Sequence, residues 1–199
     1  MKKTFSFLIL LLITTIAVSA QDKPEGLFIN SKAPDFKAKD QNGADISLKE
    51  LRKKGAVVVV FYRGNWCPYC NKELKRLQDS LQYITEKGAQ IVAITPEGGE
   101  GIGKTVEKTG VQFSILTDQE MKIAKSYGVS YEVDERTMVR YKSFGTDLLE
   151  INHQKGKAFL PVPAVYVVNK EGSITYRYFD ADYRKRPSVQ EIVSNLKVL

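Results

Sequence analysis

The sequence predicts an α/β fold with a mixed central sheet flanked by helices and preceded by an N-terminal hairpin, and three observations carry that prediction. An apolar run, Val57 to Tyr62, leads through a short turn into a helical pattern. Strand and helix patterns alternate after it, which favours parallel pairing. The chain then ends on a hairpin and a helix, and a hairpin adds antiparallel strands to the same sheet.

The elements follow in order. Met1 to Ala20 has the layout of a secretory signal: Lys2 and Lys3, an apolar core from Phe5 to Val18, then Val18-Ser19-Ala20 as a small-residue cleavage site. Its core is short for a membrane span, so an uncleaved anchor is the lesser alternative. The mature chain is expected to begin at Gln21, to be periplasmic or secreted, and to have no stable membrane insertion after cleavage. Residues 21–32 read as a flexible leader and residues 33–199 as one domain. Phe36–Lys39 and Ala44–Ser47 flank Asp40-Gln41-Asn42-Gly43, whose Asn-Gly signals a hairpin. Ser47 and Glu50 form a capping box for a short helix through Leu51.

Val57–Tyr62 is rich in β-branched residues and fits a strand buried on both faces. After the turn Arg63-Gly64-Asn65-Trp66, the positions Cys70, Leu74, Leu77, Leu81 and Ile84 fall on one helical face, with Gly88 placed to stop the helix. Gln90–Thr95 is a strand, Lys104–Thr109 a short helix, Phe113–Leu116 a strand and Gln119–Tyr127 a helix ended by Gly128. Ser130 to Leu160 is less legible, with Met138, Tyr141 and Phe144 suggesting a helix that stops at Gly145. Ala164–Val168 and Ser173–Phe179 are joined by Asn169-Lys170-Glu171-Gly172. Ser188 with Glu191 caps a last helix lined by Val189, Ile192, Val193 and Leu196.

Charge and composition exclude several functions. Without Lys2 and Lys3 the formal charge falls from +7 to +5, and the basic residues are scattered among acidic ones, so no basic face with interleaved aromatics marks a nucleic-acid site. A zinc site takes about four ligands, whereas the chain has 2 cysteines and 1 histidine, His153, far from both in sequence. No metal and no cofactor are expected.

The chemistry gathers at Cys67-Pro68-Tyr69-Cys70, a CxxC at a strand-to-helix junction. Cys67 falls at the helix N-terminus, where unpaired N–H groups and the macrodipole favour a thiolate, so it is the expected exposed nucleophile. Cys70, one turn in and on the leucine stripe, is the expected shielded resolving thiol. Pro68 suits the first helical turn. An inert disulfide is the plain alternative, but closing so short a loop removes little unfolded-chain entropy. Arg63 is placed either to stabilise the thiolate or to be solvated at the strand end. A rival motif, Gly98-x-x-x-x-Gly103-Lys104-Thr105, follows a strand and matches a phosphate-binding loop. Its helix, however, is under two turns long before the next strand.

These residues resemble the peroxiredoxin-like branch of the alkyl hydroperoxide reductase and thiol-specific antioxidant (AhpC/TSA) family. The resemblance rests on APDF at Ala33–Phe36, DQNG at Asp40–Gly43, VVVVFYRGNWCPYC at Val57–Cys70, FSILTD at Phe113–Asp118, AKSYGV at Ala124–Val129 and PVPAVYVVNKEG at Pro161–Gly172. It implies a thioredoxin-like fold and a cis Val162-Pro163 bond whose loop lies against the sulfurs and can pair with a substrate backbone. Trp66 is similar to the residue before the nucleophile in thioredoxins, and Pro68-Tyr69 to the pair between the cysteines of glutaredoxins. Typical peroxiredoxins carry proline and threonine where this chain has Val60 and Gly64. The buried acid of thioredoxins has no counterpart in Val57–Tyr62, which leaves the general base for Cys70 unassigned.

The function expected from all this is thiol-dependent oxidoreduction. Cys67 attacks a protein disulfide or a hydroperoxide, Cys70 resolves the adduct, and a thiol reductant restores both. A dedicated thiol peroxidase is the alternative, and a nucleotide-binding protein using Gly98–Thr105 a lesser one.

Overall fold

The computed structural model describes residues 23–196. The signal segment and Gln21 lie outside them. Among the described residues no helix is long and apolar enough to cross a membrane.

The expected hairpin forms from β1 (Lys37–Lys39) and β2 (Asp45–Ser47), paired antiparallel. The Ser47 hydroxyl then accepts from the Glu50 N–H at 3.2 Å and caps α1 (Leu48–Lys54), a cap of the kind that contributes about 1 kcal/mol. β3 (Val57–Phe61) follows, every residue buried. The helix after it is broken in two, α2 (Pro68–Asp79) and α3 (Leu81–Thr85). Ser80 leaves helical geometry there (φ −113°, ψ 12°) and directs its N–H to the Arg76 carbonyl.

β4 (Gln90–Thr95) is as expected, but α4 (Gly99–Thr109) starts five residues earlier than the sequence suggested. β5 (Ser114–Thr117) and α5 (Lys122–Ser126) come next. α5 is shorter than expected because Met121 sits in left-handed geometry at its N-terminus. The less legible region resolves into β6 (Ser130–Glu132), α6 (Glu135–Ser143), α7 (Leu148–Ile151) and β7 (Phe159–Pro161), with β6 and β7 paired antiparallel. β8 (Ala164–Val168), β9 (Ile174–Phe179) and α8 (Val189–Ser194) complete the chain.

The central sheet has the order β5-β4-β3-β8-β9. β3 lies in the middle, parallel to β4 and antiparallel to β8, so the expected mixed, thioredoxin-like sheet is present. Because side chains alternate along a strand, Val58, Val60 and Tyr62 face one core with Cys70, Leu74, Leu77 and Ile192. Val57, Val59 and Phe61 face the other with Tyr127, Tyr166 and Met121. Burial on both faces explains why β3 reads as an unbroken apolar run.

One expectation fails near the start. The stretch before Ala33 is no loose leader where it is described: the Gly26 N–H donates to the Gly128 carbonyl (3.0 Å), Leu27 to the Tyr166 hydroxyl (3.1 Å) and Asn30 to the Ile174 carbonyl (2.8 Å). These are tertiary bonds to segments over a hundred residues away, so polar composition alone could not foretell them.

Candidate active site

The site lies at the carboxyl end of β3, where open α/β sheets place their chemistry. Tyr62 and Arg63 continue the strand, and the turn beyond them is held by Glu97, a fully buried carboxylate just past β4. Its two oxygens accept from the Asn65 N–H (2.8 Å) and the Asn65 side-chain amide (2.7 Å). Lys108 and Asn71 donate to Asn65 in turn, Lys108 to its carbonyl at 3.0 Å and to its side-chain oxygen at 2.9 Å. Gly101 leaves room for Glu97, since a Cβ there would lie 2.7 Å from the carboxyl carbon.

That packing removes the phosphate-loop reading. Gly99 to Thr105 is already helix, and the Ile102 N–H bonds the Gly98 carbonyl, so the stretch forms the first turns of α4 and not an open glycine loop. Lys104 pairs with Glu100 one turn away (2.7 Å) and Thr105 is buried against Tyr62. Gly98 and Gly101 serve close packing, against Gln119 and His153 and against Glu97, whereas a Cβ at Gly99 or Gly103 would meet nothing within 4 Å.

Cys67 is the N-cap of α2, with Pro68 as its first helical residue, as the spacing predicts. Both cysteines are free thiols, and the Cys70 N–H donates to the Cys67 sulfur at 3.4 Å. The exposure expected of Cys67 is absent: it is 1% exposed and Cys70 0%. Two distant segments pack beside the pair. Arg63, itself buried and not solvated, has its guanidinium 4.7 Å from the Trp66 ring, 5.4 Å from Tyr141 of α6 and 4.3 Å from Tyr183, and it donates to the Tyr141 hydroxyl. Arg186, in the segment between β9 and α8, donates to the Cys70 sulfur at 3.4 Å and to the buried Glu73 carboxylate at 2.5 Å.

The electrostatics separate the two thiols. Cys67 is pulled down to about 7, first by the hydrogen bond from the Cys70 thiol and then by the Arg63 charge, the Cys70 N–H and Arg186, all working against burial. Cys70 is pushed well up, chiefly by burial and then by its bond to Cys67 and the charge there, with Arg186 opposing. Alkylation of the reduced protein is therefore expected to fall on Cys67 first, with a half-maximal rate near pH 7. Mass mapping of the labelled thiols across a pH series checks it, and a faster Cys70 would reverse the assignment.

The implied cis bond is a second correction. No cis peptide occurs among the described residues, so Val162-Pro163 is trans, the ordinary preference of such a bond. Val162 is tied through its N–H to the Val129 carbonyl (2.8 Å) as the chain passes from β7 to β8. It still lies beside the site in one respect: with Tyr131 it lines a cavity of about 480 Å³, and Tyr131 is within electrostatic reach of Arg63 and both thiols. Pro163 is buried as the link into β8.

Sequence reasoning missed Glu73, Glu97, Tyr131, Tyr141, Tyr183 and Arg186. Only Glu73 carried a signal, as an acid three residues after Cys70 on the apolar face of a helix. No group of His, Cys, Asp and Glu among the described residues is arranged to hold a metal.

A family model described as the AhpC/TSA family matches residues 29–177. The chain belongs to the AhpC/TSA family. Within the curated relatives it is 28% identical to the chloroplastic peroxiredoxin Q of Oryza sativa subsp. japonica over 148 residues, 74% of this chain and 57% of that protein. It is 32% identical to the thiol-disulfide oxidoreductase ResA of Bacillus anthracis over 106 residues, 53% of this chain and 60% of that protein. The chain thus spans somewhat over half the length of these relatives. A crystal structure of the peroxidoxin BcpB of Mycobacterium tuberculosis shares the fold, with a TM-score of 0.66 at 20% identity over 84% of this chain and 95% of that one.

Proposed function

We propose that this protein is a thiol-dependent oxidoreductase that exchanges disulfides through Cys67 and Cys70. One observation carries the reading: a pair of free thiols at a helix N-terminus, with the Cys70 N–H on the Cys67 sulfur; the Cys70 hydrogen bond and then the Arg63 charge lower Cys67, and burial raises Cys70. In the reductive direction the Cys67 thiolate attacks a disulfide R–S–S–R′, forming Cys67–S–S–R and releasing R′S⁻. The Cys70 thiolate then attacks the Cys67 sulfur, the Cys67–Cys70 bond forms and RS⁻ leaves. Two electrons have passed from the protein to the substrate, and a dithiol reductant returns them. Trp66, Pro68 and Arg63 hold the nucleophile, and Val162 with Pro163 borders the approach. Secretion or a periplasmic setting fits the signal-like leader, and an external reductant partner follows from it.

A peroxidase using the same two thiols is the second reading, favoured by the peroxiredoxin names among the relatives. Against it, Val60 is sealed inside the sheet, and Gly64 has no hydroxyl to hold a peroxide oxygen. Parallel turnover assays decide. Disulfide exchange predicts ready reduction of a protein disulfide and a peroxide rate no better than that of a free thiolate. Fast peroxide consumption without disulfide reduction would make the protein a thiol peroxidase.

A further inference from the structure

The stretch from Ser130 to Leu160, least legible in sequence, carries β6 and most of β7, and the outer edge of β6 is left open beside the site. Ser130 faces Pro161, Tyr131 faces Leu160 and Glu132 faces Phe159. At the two ends of this ribbon the Val162 N–H donates to the Val129 carbonyl and the Val133 N–H to the Ala158 carbonyl, both at 2.8 Å. Residues of an antiparallel pair alternate between bonding the partner strand and turning away from it. Val129, Tyr131 and Val133 are therefore spent on β7, and Ser130 and Glu132 direct their N–H and carbonyl groups outward. No other backbone group among the described residues bonds them. The Ser130 hydroxyl is buried and has no partner either.

Two cavities border this edge, and Ser130 and Glu132 line both. One, of about 580 Å³, extends to Lys125 and Phe159; the other, of about 480 Å³, extends to Tyr131, Val162 and Ala181. Lys23 and Pro24 border both cavities, but neither bonds the edge through its backbone, and a proline has no N–H to offer. The second cavity leads toward the thiols. Tyr131 is within electrostatic reach of Arg63, Cys67 and Cys70, and Tyr183, two residues past Ala181, stacks on Arg63. Charges along the edge are mixed: Lys23 and Lys125 stand against Glu25 and Glu132, and Glu132 already pairs with Lys157 at 2.9 Å. The edge thus offers alternating backbone donors and acceptors rather than a net charge, and the complement of such a surface is another extended backbone.

We propose that β6 takes the substrate polypeptide as an added strand, so that the disulfides this protein reduces are those carried by extended or locally unfolded chain. This rests on the exchange reading above and names its substrate class. The Val162 N–H cannot take part, because the Val129 carbonyl holds it, and pairing falls to the neighbouring edge at Ser130 and Glu132. Main-chain bonds of this kind supply affinity whatever the side chains, so substrates are chosen by being extended more than by their sequence.

The test removes one outward donor. Glu132→Pro deletes the Glu132 N–H and leaves the bonds to β7, as an edge strand permits. Lys157→Met is its control, since it breaks the same ion pair and leaves the edge whole. Two chromogenic probes are compared on the reduced full-length protein: a short unstructured peptide whose central cysteine carries 2-nitro-5-thiobenzoate in disulfide linkage, and 5,5′-dithiobis(2-nitrobenzoate), which has no backbone. Attack by the Cys67 thiolate on either forms a mixed disulfide and releases the coloured thiolate. In Glu132→Pro the peptide-to-dithiobis ratio of rates at low probe concentration should fall about fivefold or more, through a higher half-saturating peptide concentration, and in Lys157→Met it should stay as in the wild type. An unchanged ratio in Glu132→Pro, or an equal fall in Lys157→Met, would overturn the proposal while leaving the exchange reading intact; a wild type that attacks neither probe would overturn both. Should Glu132→Pro fail to fold, amide hydrogen exchange of Cys70→Ser decides. With the peptide trapped on Cys67, the Ser130 and Glu132 amides should exchange about tenfold more slowly or less. Unchanged exchange would refute the proposal, as would protection already present in the free protein, which means that the Lys23–Pro24 segment or a second copy of the chain fills the edge.

Discussion

Replacing Cys67 with serine is expected to abolish turnover on every electrophile, because the only sulfur held partly ionised near neutral pH is then gone. A thiol drawn down to about 7 is roughly half thiolate at pH 7, whereas an ordinary cysteine near 8.5 is only a few per cent ionised there. Cys70, pushed up by burial, cannot take over the attack. Cys70→Ser is expected to differ in kind: the first step proceeds, nothing resolves it, and a mixed disulfide with the substrate accumulates on Cys67. Intact-mass measurement of both variants after one exposure to a protein disulfide reads the outcome. Activity retained by Cys67→Ser, or a Cys70→Ser variant that turns over without trapping its substrate, would dismantle the two-thiol scheme.

Gly64→Ala is expected to be the most damaging small substitution near the site. Gly64 has φ +150°, and a Cβ there would lie 2.5 Å from Trp66 Nε1, 2.7 Å from Glu97 Oε1 and 2.8 Å from the Glu97 carboxyl carbon. The Glu97 carboxylate holds the turn before Cys67 and Trp66 directly precedes the nucleophile, so relieving these contacts shifts that turn. Backbone strain and overpacking together should cost about 2–4 kcal/mol. Gly43→Ala is the control, since Gly43 also has a positive φ (+78°) but nothing within 4 Å of the added carbon. It should lose about 1–2 kcal/mol from the backbone alone. Urea midpoints at constant slope give both values, and the pH profile of Cys67 alkylation should move upward in Gly64→Ala only. Equal losses in the two variants would mean that the contacts around Gly64 yield freely.

The covered state of the thiols bears on how such a protein selects substrates. Cys67 is buried, and side chains from α6 and from the segment before α8 stack on Arg63 and bond Cys70 beside it. Moving Tyr183 or Arg186 would disturb the stack on Arg63 and the bond to the Cys70 sulfur. Discrimination between partners can therefore rest on the cover as well as on the sulfur.

What the sequence by itself determined is what is encoded by neighbours along the chain. The β-branched run of β3, the Ser47 cap, the Asn42-Gly43 turn and the placing of Cys67 and Cys70 one helical turn apart are all set by residues within a few positions of each other. Periodicity and capping therefore reach them. The tertiary structure alone decided that Cys67 is buried, that Gly98–Thr105 packs against Glu97 as helix, that the Val162-Pro163 bond is trans and that Arg63 is enclosed by aromatic rings. It also decided the partners of the resolving thiol: Arg186 stands 116 residues from Cys70 and 113 from Glu73. No local pattern signals that an arginine in an irregular segment will be buried, because its cost is met only when a distant carboxylate and a thiol are brought to it by the closing of the sheet.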